Sequence, residues 1–232
     1  MILGEPQKVE RSDVMKVVLS ETMGTDLTVV NAARVSYDRM SEEFGDKDEK
    51  LIKYLAEHNH WSPFAHAFAQ FKIEAPIFVA RQLVKHQVGL AWNEVSRRYV
   101  SYVPKIYKIS NWRGKPQHSK QGSDGKVELS PEMKYEYDLY MEQCIGLYNR
   151  MIEEGIAPEQ ARAVLPQSMQ TEWIWSGSLY AFARICNLRN KPDVQEETRF
   201  ITEGISGMLE NKFPICWKYL CPATGVDSVK GV

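Results

Sequence analysis

Residues 69–84, AQFKIEAPIFVARQLV, change their hydrophobic period halfway, and that change decides the fold class. Ala69, Phe71 and Ile73 alternate with Gln70, Lys72 and Glu74, the period of two expected of a strand with one buried face. Pro76 then opens a helix in the first-turn position, where its missing N–H costs nothing. Ile77, Ala80 and Val84 mark the buried stripe of that helix. A half-buried strand that runs straight into a helix points to a chain mixing both element types around one core.

Upstream, the pattern predicts a strand over 14–19, a helix over 27–36 after Gly24-Thr25-Asp26, and an amphipathic helix over 46–58 carrying Leu51, Ile52 and Leu55. Downstream, residues 94–103 return to period two, with Val95, Arg97, Tyr99, Ser101 and Val103 on one face. Residues 109–130 are polar and glycine-rich, longer than an ordinary connection, and read as a lid or a disordered excursion. Ser130-Pro131 then caps a helix whose apolar side carries Tyr137, Tyr140, Met141, Cys144, Leu147, Tyr148 and Met151, and Gly155 ends it. Met169, Thr171, Trp173 and Trp175 alternate as a further strand, followed by helices over about 178–190 and 193–211. No repeat or linker interrupts the chain. The expectation is a single α+β domain over 1–232, with a mixed or antiparallel sheet flanked by helices.

The chain has 232 residues, 44% of them hydrophobic, enough to bury a sizeable core. Its 29 basic and 30 acidic residues leave a formal charge of -1, so no global field draws it to nucleic acid or membrane. An anionic ligand would have to be held by local groups. No apolar run approaches the roughly 18–20 residues that span a bilayer. Residues 1–13 lack the basic and apolar regions of a signal peptide, so the expected location is cytoplasmic. The four cysteines form no CxxC, and Cys144 reads as a small core residue. None is taken as a nucleophile.

Three segments are dense in chemistry. His58, His60 and His66 invite a metal, but Pro63 breaks the turn and no carboxylate completes a ligand set, so no metal is expected. In residues 81–99, Lys85 and Arg98 supply charge, Asn93, Glu94 and Ser96 supply directional hydrogen bonds, and Trp92 and Tyr99 supply flat faces. Such a helix-to-strand corner suits a phosphate or a base, although a solvated basic edge strand has the same composition. In the third segment, Trp173 and Trp175 read as core, while Gly177 and Ser178 let the following helix approach a cofactor.

Lys85-His86-Gln87, eight residues, Ser96 and then Arg98-Tyr99, with Asn93-Glu94 inside the gap, resembles the signature of flavin-dependent thymidylate synthases. Other segments resemble the same family in family order: Asn31 to Ser36, His60-x-Ser62-Pro63-Phe64-x-His66, Ala75 to Gln82, Ala161-Arg162-x-Val164-Leu165-Pro166 and Asn187-Leu188-Arg189. The resemblance covers about residues 24–103 and 158–215. It implies a homotetramer with active sites between subunits, which makes thymidylate from dUMP with methylenetetrahydrofolate, FAD and NADPH. By position it places Gln82, Lys85, Glu94, Ser96, Arg97, Arg98 and Arg162 around the nucleotide, with Arg189 at the uracil. It places Ser36, His60, Ser62, Lys85, His86, Gln87, Glu94, Ser178 and Tyr180 at the flavin.

The chemistry of the residues is consistent with those roles. Arginine forks match the oxygens of a nucleotide phosphate, which suits Arg98 and Arg162. A uracil that attacks through C5 accumulates negative charge on N3 and its carbonyls, and a fixed guanidinium at Arg189 stabilises it as an oxyanion hole would. No covalent cysteine is then needed. Ser96 lacks a Ser–His–Asp setting and is expected to hydrogen-bond to substrate. Departures from the family pattern fall on the flavin side: Lys85 and Gln87 replace arginines, Ala65 stands where many relatives have Glu, Asp193 where some have His, and Tyr180 and Arg184 also differ. Two other readings share these residues. One is a nucleotide-binding relative with impaired flavin chemistry. The other is a single-stranded nucleic-acid module using Arg97, Arg98, Tyr99, Tyr102, Lys105, Tyr107, Lys108, Trp112 and Arg113.

Overall fold

The computed structural model describes residues 7–11, 15–117 and 122–222. In chain order the elements are β1 (Lys8–Arg11), β2 (Met15–Met23), α1 (Asp26–Arg34), α2 (Asp46–Glu57), β3 (Phe68–Pro76), α3 (Ile77–Leu83), β4 (Leu90–Glu94), β5 (Arg113–Gly114), β6 (Asp124–Lys126), α4 (Pro131–Glu153), α5 (Pro158–Ala161), β7 (Gln170–Ser178), α6 (Leu179–Arg189), α7 (Glu196–Lys212) and α8 (Pro214–Leu220). Three short 3-10 turns cover Val35–Tyr37, Ser62–His66 and Arg162–Val164. Among the described residues no helix is long and apolar enough to cross a membrane. Most of the 1–13 segment, and Val14 at the head of the first predicted strand, lie outside the described residues.

Five strands make one sheet in the order β1-β2-β3-β7-β4, each pair antiparallel. Alternation explains why β3 sits at its centre: Ala69, Phe71, Ile73 and Ala75 are buried, and Phe71 and Ile73 stand opposite Trp175 and Trp173 of β7. Phe182 of α6 closes over them, edge-on to Phe71 at 5.1 Å and to Trp175 at 5.5 Å. Burying side chains of this size stabilises by about 1.5–3 kcal/mol each, which is why this face collects the helices. The opposite face is polar, with Lys72 and Glu172 paired at 3.0 Å and Gln70 donating to the Ser176 hydroxyl at 2.9 Å. The α+β class and the antiparallel, helix-flanked sheet are therefore as expected.

Several local expectations need correction. Pro76 ends β3 and caps α3 from outside, so the helix begins one residue late. A one-residue shift turns a helix by about 100°, and the buried stripe becomes Val79, Ala80 and Leu83 instead of Ile77 and Val84. The strand predicted over 94–103 does not form; the observed strand, β4, lies upstream over Leu90–Glu94 and ends where the predicted one begins. It is a sheet edge, and the chain turns away where the Tyr99 N–H bonds back to the Ser96 carbonyl at 3.0 Å and Arg97 captures the Tyr102 carbonyl. In the 109–130 stretch, β5 and β6 pair antiparallel, so the described residues are not structureless. Residues 118–121 of that stretch lie outside the described residues. Along α4 only Cys144 and Tyr148 of the predicted stripe are buried, whereas Tyr140 and Leu147 are 57% and 40% exposed. The stripe is only partly covered: Tyr137 meets the Trp112 ring edge-on at 5.1 Å and Met141 lies against the Ser168 hydroxyl, while Tyr140 and Leu147 stay in the open.

Candidate active site

Backbone geometry delivers part of the predicted set to three clefts. The first lies where β4 ends and is lined by Glu94, Val95, Ser96, Arg98 and Arg162, with a volume of about 450 Å³. Glu94 shares the inner face of the sheet with the β7 residues beside it, and both its oxygens are held. Oε1 accepts from the Thr171 hydroxyl at 2.7 Å and Oε2 from the Trp92 indole N–H at 3.2 Å. The Ser96 hydroxyl accepts from Arg98 Nε at 3.2 Å, and the Arg98 guanidinium lies 4.9 Å from the Tyr99 ring centroid. Arg162 follows α5 on the 3-10 turn and donates Nε–H to the Glu159 carbonyl at 3.1 Å. Its terminal nitrogens make no ion pair with a described residue. Two guanidinium groups, each held through Nε and with no ion pair to a described residue, stand beside a fixed carboxylate and a hydroxyl and suit a phosphate ester with polar groups attached.

Arg97 is not in this cleft. It is 6% exposed, donates to the Tyr102 carbonyl and lies 4.3 Å over the Tyr102 ring, so it holds the turn. Tyr107 is also buried and Arg113 is ion-paired, so the basic and aromatic residues of 97–113 form no continuous stripe for a nucleic-acid strand.

The second cleft, about 630 Å³, joins Gln82 and Arg189 with Ile109, Trp112, Leu188 and Lys191 among its walls. Arg189 is the last residue of α6, but its guanidinium does not fold back to cap that helix. Its Nε–H donates to His86 Nε2 at 3.1 Å. Burial, and then the charges of Arg189 and Arg184, hold the His86 imidazole below its usual range. A neutral ring keeps the lone pair that Arg189 needs. Gln82 is held at both ends, its amide nitrogen donating to Gln195 and its oxygen accepting from the Thr198 hydroxyl at 3.1 Å.

The third cleft, about 290 Å³, brings Ser178 and Tyr180 together with Trp61, Val88, Gly89, Ala181 and Arg184. A Cβ on Gly177 would stand 2.7 Å from the Gly89 carbonyl oxygen, so glycine is needed where β7 passes this corner. The Ser178 hydroxyl is committed to capping α6 through the Ala181 N–H at 3.2 Å. Tyr180 faces Trp61 at 6.2 Å, and Arg184 has no ion-pair partner among the described residues. Flat aromatic faces and an uncommitted cation fit the ring and pyrophosphate of a flavin dinucleotide, although the cleft is too small to enclose one. Lys85 and Gln87 are exposed on either side of His86, while Ser36, His60 and Ser62 are exposed on separate turns and line none of the three clefts.

Four residue steps of β4 separate Leu90, which pairs with Gly177, from Glu94, so the first and third clefts lie about 14 Å apart along the strand. No one of the three clefts holds both Arg189 and the Arg98–Arg162 pair. Among the described residues no three His, Cys, Asp or Glu side chains gather to hold a metal ion. His58 and His60 lie 6.3 Å apart by ring centroid, and His58 Nδ1 is bonded to the Tyr54 carbonyl at 2.8 Å. Cys144, Cys186 and Cys216 are buried, and burial pushes the Cys186 and Cys216 thiols up. No cysteine lines the three clefts.

Sequence reasoning missed most of the residues that orient the site: Thr171 behind Glu94, Gln195 and Thr198 behind Gln82, and Trp61 opposite Tyr180; it singles out Trp92, but as a flat face and not as the donor to Glu94. Their signal is spatial. The ladder position of Trp92, opposite Trp175, likewise emerges only from the strand pairing.

The family model described as thymidylate synthase complementing protein matches residues 17–215 of this chain. The chain is 36% identical over 202 residues to the flavin-dependent thymidylate synthase of Kosmotoga olearia, covering 86% of this chain and 87% of that one. It is 34% identical over 199 residues to that of Thermus thermophilus, covering 86% and 73%. Among solved structures it is similar to the UMP/dUMP methylase PolB from Streptomyces cacaoi bound with 5-Br dUMP, with a TM-score of 0.73, 27% identity, and 88% and 94% of the two chains covered. The same methylase bound with 5-Br UMP gives 0.73, 29%, 91% and 95%.

Proposed function

The chain belongs to the flavin-dependent thymidylate synthase family, and from that premise we propose that it makes dTMP from dUMP by reductive methylation. Methylenetetrahydrofolate gives the carbon, and a flavin reduced by NADPH supplies the two electrons that turn a methylene into a methyl group. The observation that carries this reading is the Arg189 guanidinium, held by a neutral His86 and sharing a cleft with Gln82. Arg98 and Arg162 bind the phosphate, with Ser96 and Glu94 beside it. Arg189 meets the uracil edge and stabilises the negative charge that develops as C5 attacks the methylene carbon, an effect that needs a donor fixed before the reaction. Tyr180, Trp61 and Arg184 hold the FAD. Lys85 and Gln87, one charge fewer than the family's paired arginines, flank it.

The working form is a homotetramer with each site shared between subunits. The division of the nucleotide residues between separate open clefts supports this, as do the exposed Tyr140 and Leu147 on the apolar side of α4. The test is dTMP formation from dUMP, methylenetetrahydrofolate, FAD and NADPH, with single-component omissions. Product that requires all four supports the reading. A protein that binds dUMP and FAD but makes no product is instead a relative with impaired flavin chemistry. A parallel arm with UMP is warranted because the similar PolB structures hold both nucleotide types.

The cysteines give a separate expectation. With three thiols buried and none lining the clefts, a folded protein with all four cysteines changed to alanine keeps dTMP formation within a few-fold. Mass spectrometry of enzyme quenched during turnover should find no dUMP adduct on any cysteine. Such an adduct would refute the non-covalent route.

A further inference from the structure

We propose that Arg113, which belongs to none of the substrate or cofactor sets above, is a positioning residue for the Gln82–Arg189 cleft and acts through the first turn of α7. The inference rests on the reading of that cleft as the uracil site and adds to it a part contributed by the 109–113 segment.

Four consecutive side chains at the start of α7 face two ways. Gln195, the N-cap, and Thr198 grip the two ends of the Gln82 carboxamide. Glu196 and Glu197, between them, grip Arg113: its Nη1 lies 2.7 Å from Glu196 and its Nη2 2.7 Å from Glu197. Asn111 adds a bond to Glu196 at 3.1 Å, and Arg11 of β1 approaches the same carboxylate at 3.0 Å. Glu196 therefore keeps a second cation if Arg113 is removed. Glu197 is 2% exposed and ion-paired with Arg113.

A carboxylate that loses its counter-ion while buried has to take up a proton or move toward water, and either outcome is unfavourable for the local structure. Movement of Glu197 moves Gln195 and Thr198, because all three lie on one helical turn. The orientation of Gln82 matters chemically. With one N–H given to Gln195 and one lone pair taken by Thr198, the carboxamide presents one remaining donor and one remaining acceptor to the cleft. A uracil edge offers the complementary acceptor and donor, O4 and N3–H. A carboxamide turned by half a rotation presents them in the wrong order. Arg113 and Trp112 also line the cleft, so the same clip that orients Gln82 sets one wall.

The test uses the full-length protein in two measurements. Hydrogen exchange without ligand compares wild type with Arg113→Ala: exchange should rise both at 195–199 and at 77–86. Calorimetry with dUMP then follows a double-mutant cycle with Gln82→Ala. Arg113→Ala should weaken dUMP about tenfold, the low end of what supporting residues cost, and add less than about twofold in the Gln82→Ala background. Arg113→Lys, which retains charge but cannot fork between two carboxylates, should fall between. Glu197→Gln should reproduce the exchange change if Arg113→Ala does not fold. A rise in exchange confined to 109–117, or a tenfold loss that persists without Gln82, would overturn the inference. Wild type that binds no dUMP would instead sink the uracil reading, and the exchange link between α7 and 77–86 would still decide the positioning role.

Discussion

Arg189→Lys should fold, bind FAD and oxidise NADPH, yet lose dTMP formation by about a hundred- to a thousandfold, the usual cost of removing a donor aimed at developing charge. The competing reading makes Arg189 a cation at the C-terminus of α6, where the helix dipole favours positive charge and lysine would serve as well. The geometry separates the two. The guanidinium reaches across to His86 at 3.1 Å, and the α6 end is closed without it, by the Asn190 N–H on the Cys186 carbonyl at 2.9 Å. A guanidinium can spend Nε on His86 and still direct its two terminal nitrogens at a substrate. An ammonium is a single point of charge and cannot do both in one plane.

The same contact gives the pH dependence its sign. The His86 imidazole is held below its ordinary value, chiefly by burial and then by Arg189 and Arg184, so the folded protein resists protonation there more than the unfolded chain does. Its contribution is intact above the ordinary imidazole value and is lost as pH falls through that value toward the lowered one. Protonation also removes the lone pair that Arg189 uses. Wild-type turnover should therefore fall on the acid side, and Arg189→Lys should show little of that limb. Near-normal turnover in Arg189→Lys would return the residue to a helix-end role.

The parts of the fold that were legible in the sequence are those in which a face is covered by the same protomer. β3 and β7 alternate because their inner side chains meet α6, and α2 is amphipathic because Ile52 and Leu55 are buried within the protomer. The stripe on α4 obeys the same periodicity but is covered only in part, with Cys144 and Tyr148 buried and Tyr140 and Leu147 exposed, since periodicity marks an apolar face and not how much of it is covered. The end of β4 was misread for a different reason. Val95, Arg97 and Tyr99 keep the alternation, but an edge strand has a partner on one side only, and here the chain turns back on itself through the Tyr99 N–H on the Ser96 carbonyl and the Arg97 guanidinium on the Tyr102 carbonyl. For the site, residue identities were readable from motif spacing, whereas their grouping was not. Asn31 and Arg34, which belong to a motif, bind Ser41 and Asp48 and so anchor the turn after α1. The residues behind the site, Thr171 and Thr198 among them, lie 77 and 116 positions from the groups they hold, a separation that no local pattern encodes.

The second large effect belongs to Arg162. Arg162→Ala should weaken dUMP binding about ten- to a hundredfold, from the loss of charge-assisted bonds that contribute about 1.5–3 kcal/mol. The fold should be unaffected, because the side chain is exposed and its one internal bond is to a carbonyl three residues away. Arg98→Ala is the less clean experiment. Arg98 also holds the Ser96 hydroxyl and lies over the Tyr99 ring, so its removal disturbs orientation as well as charge. The chain carries a net charge of -1, so distant cations cannot compensate, and the loss should shrink as salt rises and screens the phosphate in wild type too. Deoxyuridine, which lacks the phosphate, isolates the contact: wild type and Arg162→Ala should bind it equally. An Arg162→Ala protein that matches wild type for dUMP by calorimetry would remove this residue from the phosphate site. A protein weakened equally toward dUMP and deoxyuridine would show that Arg162 acts on the nucleoside instead.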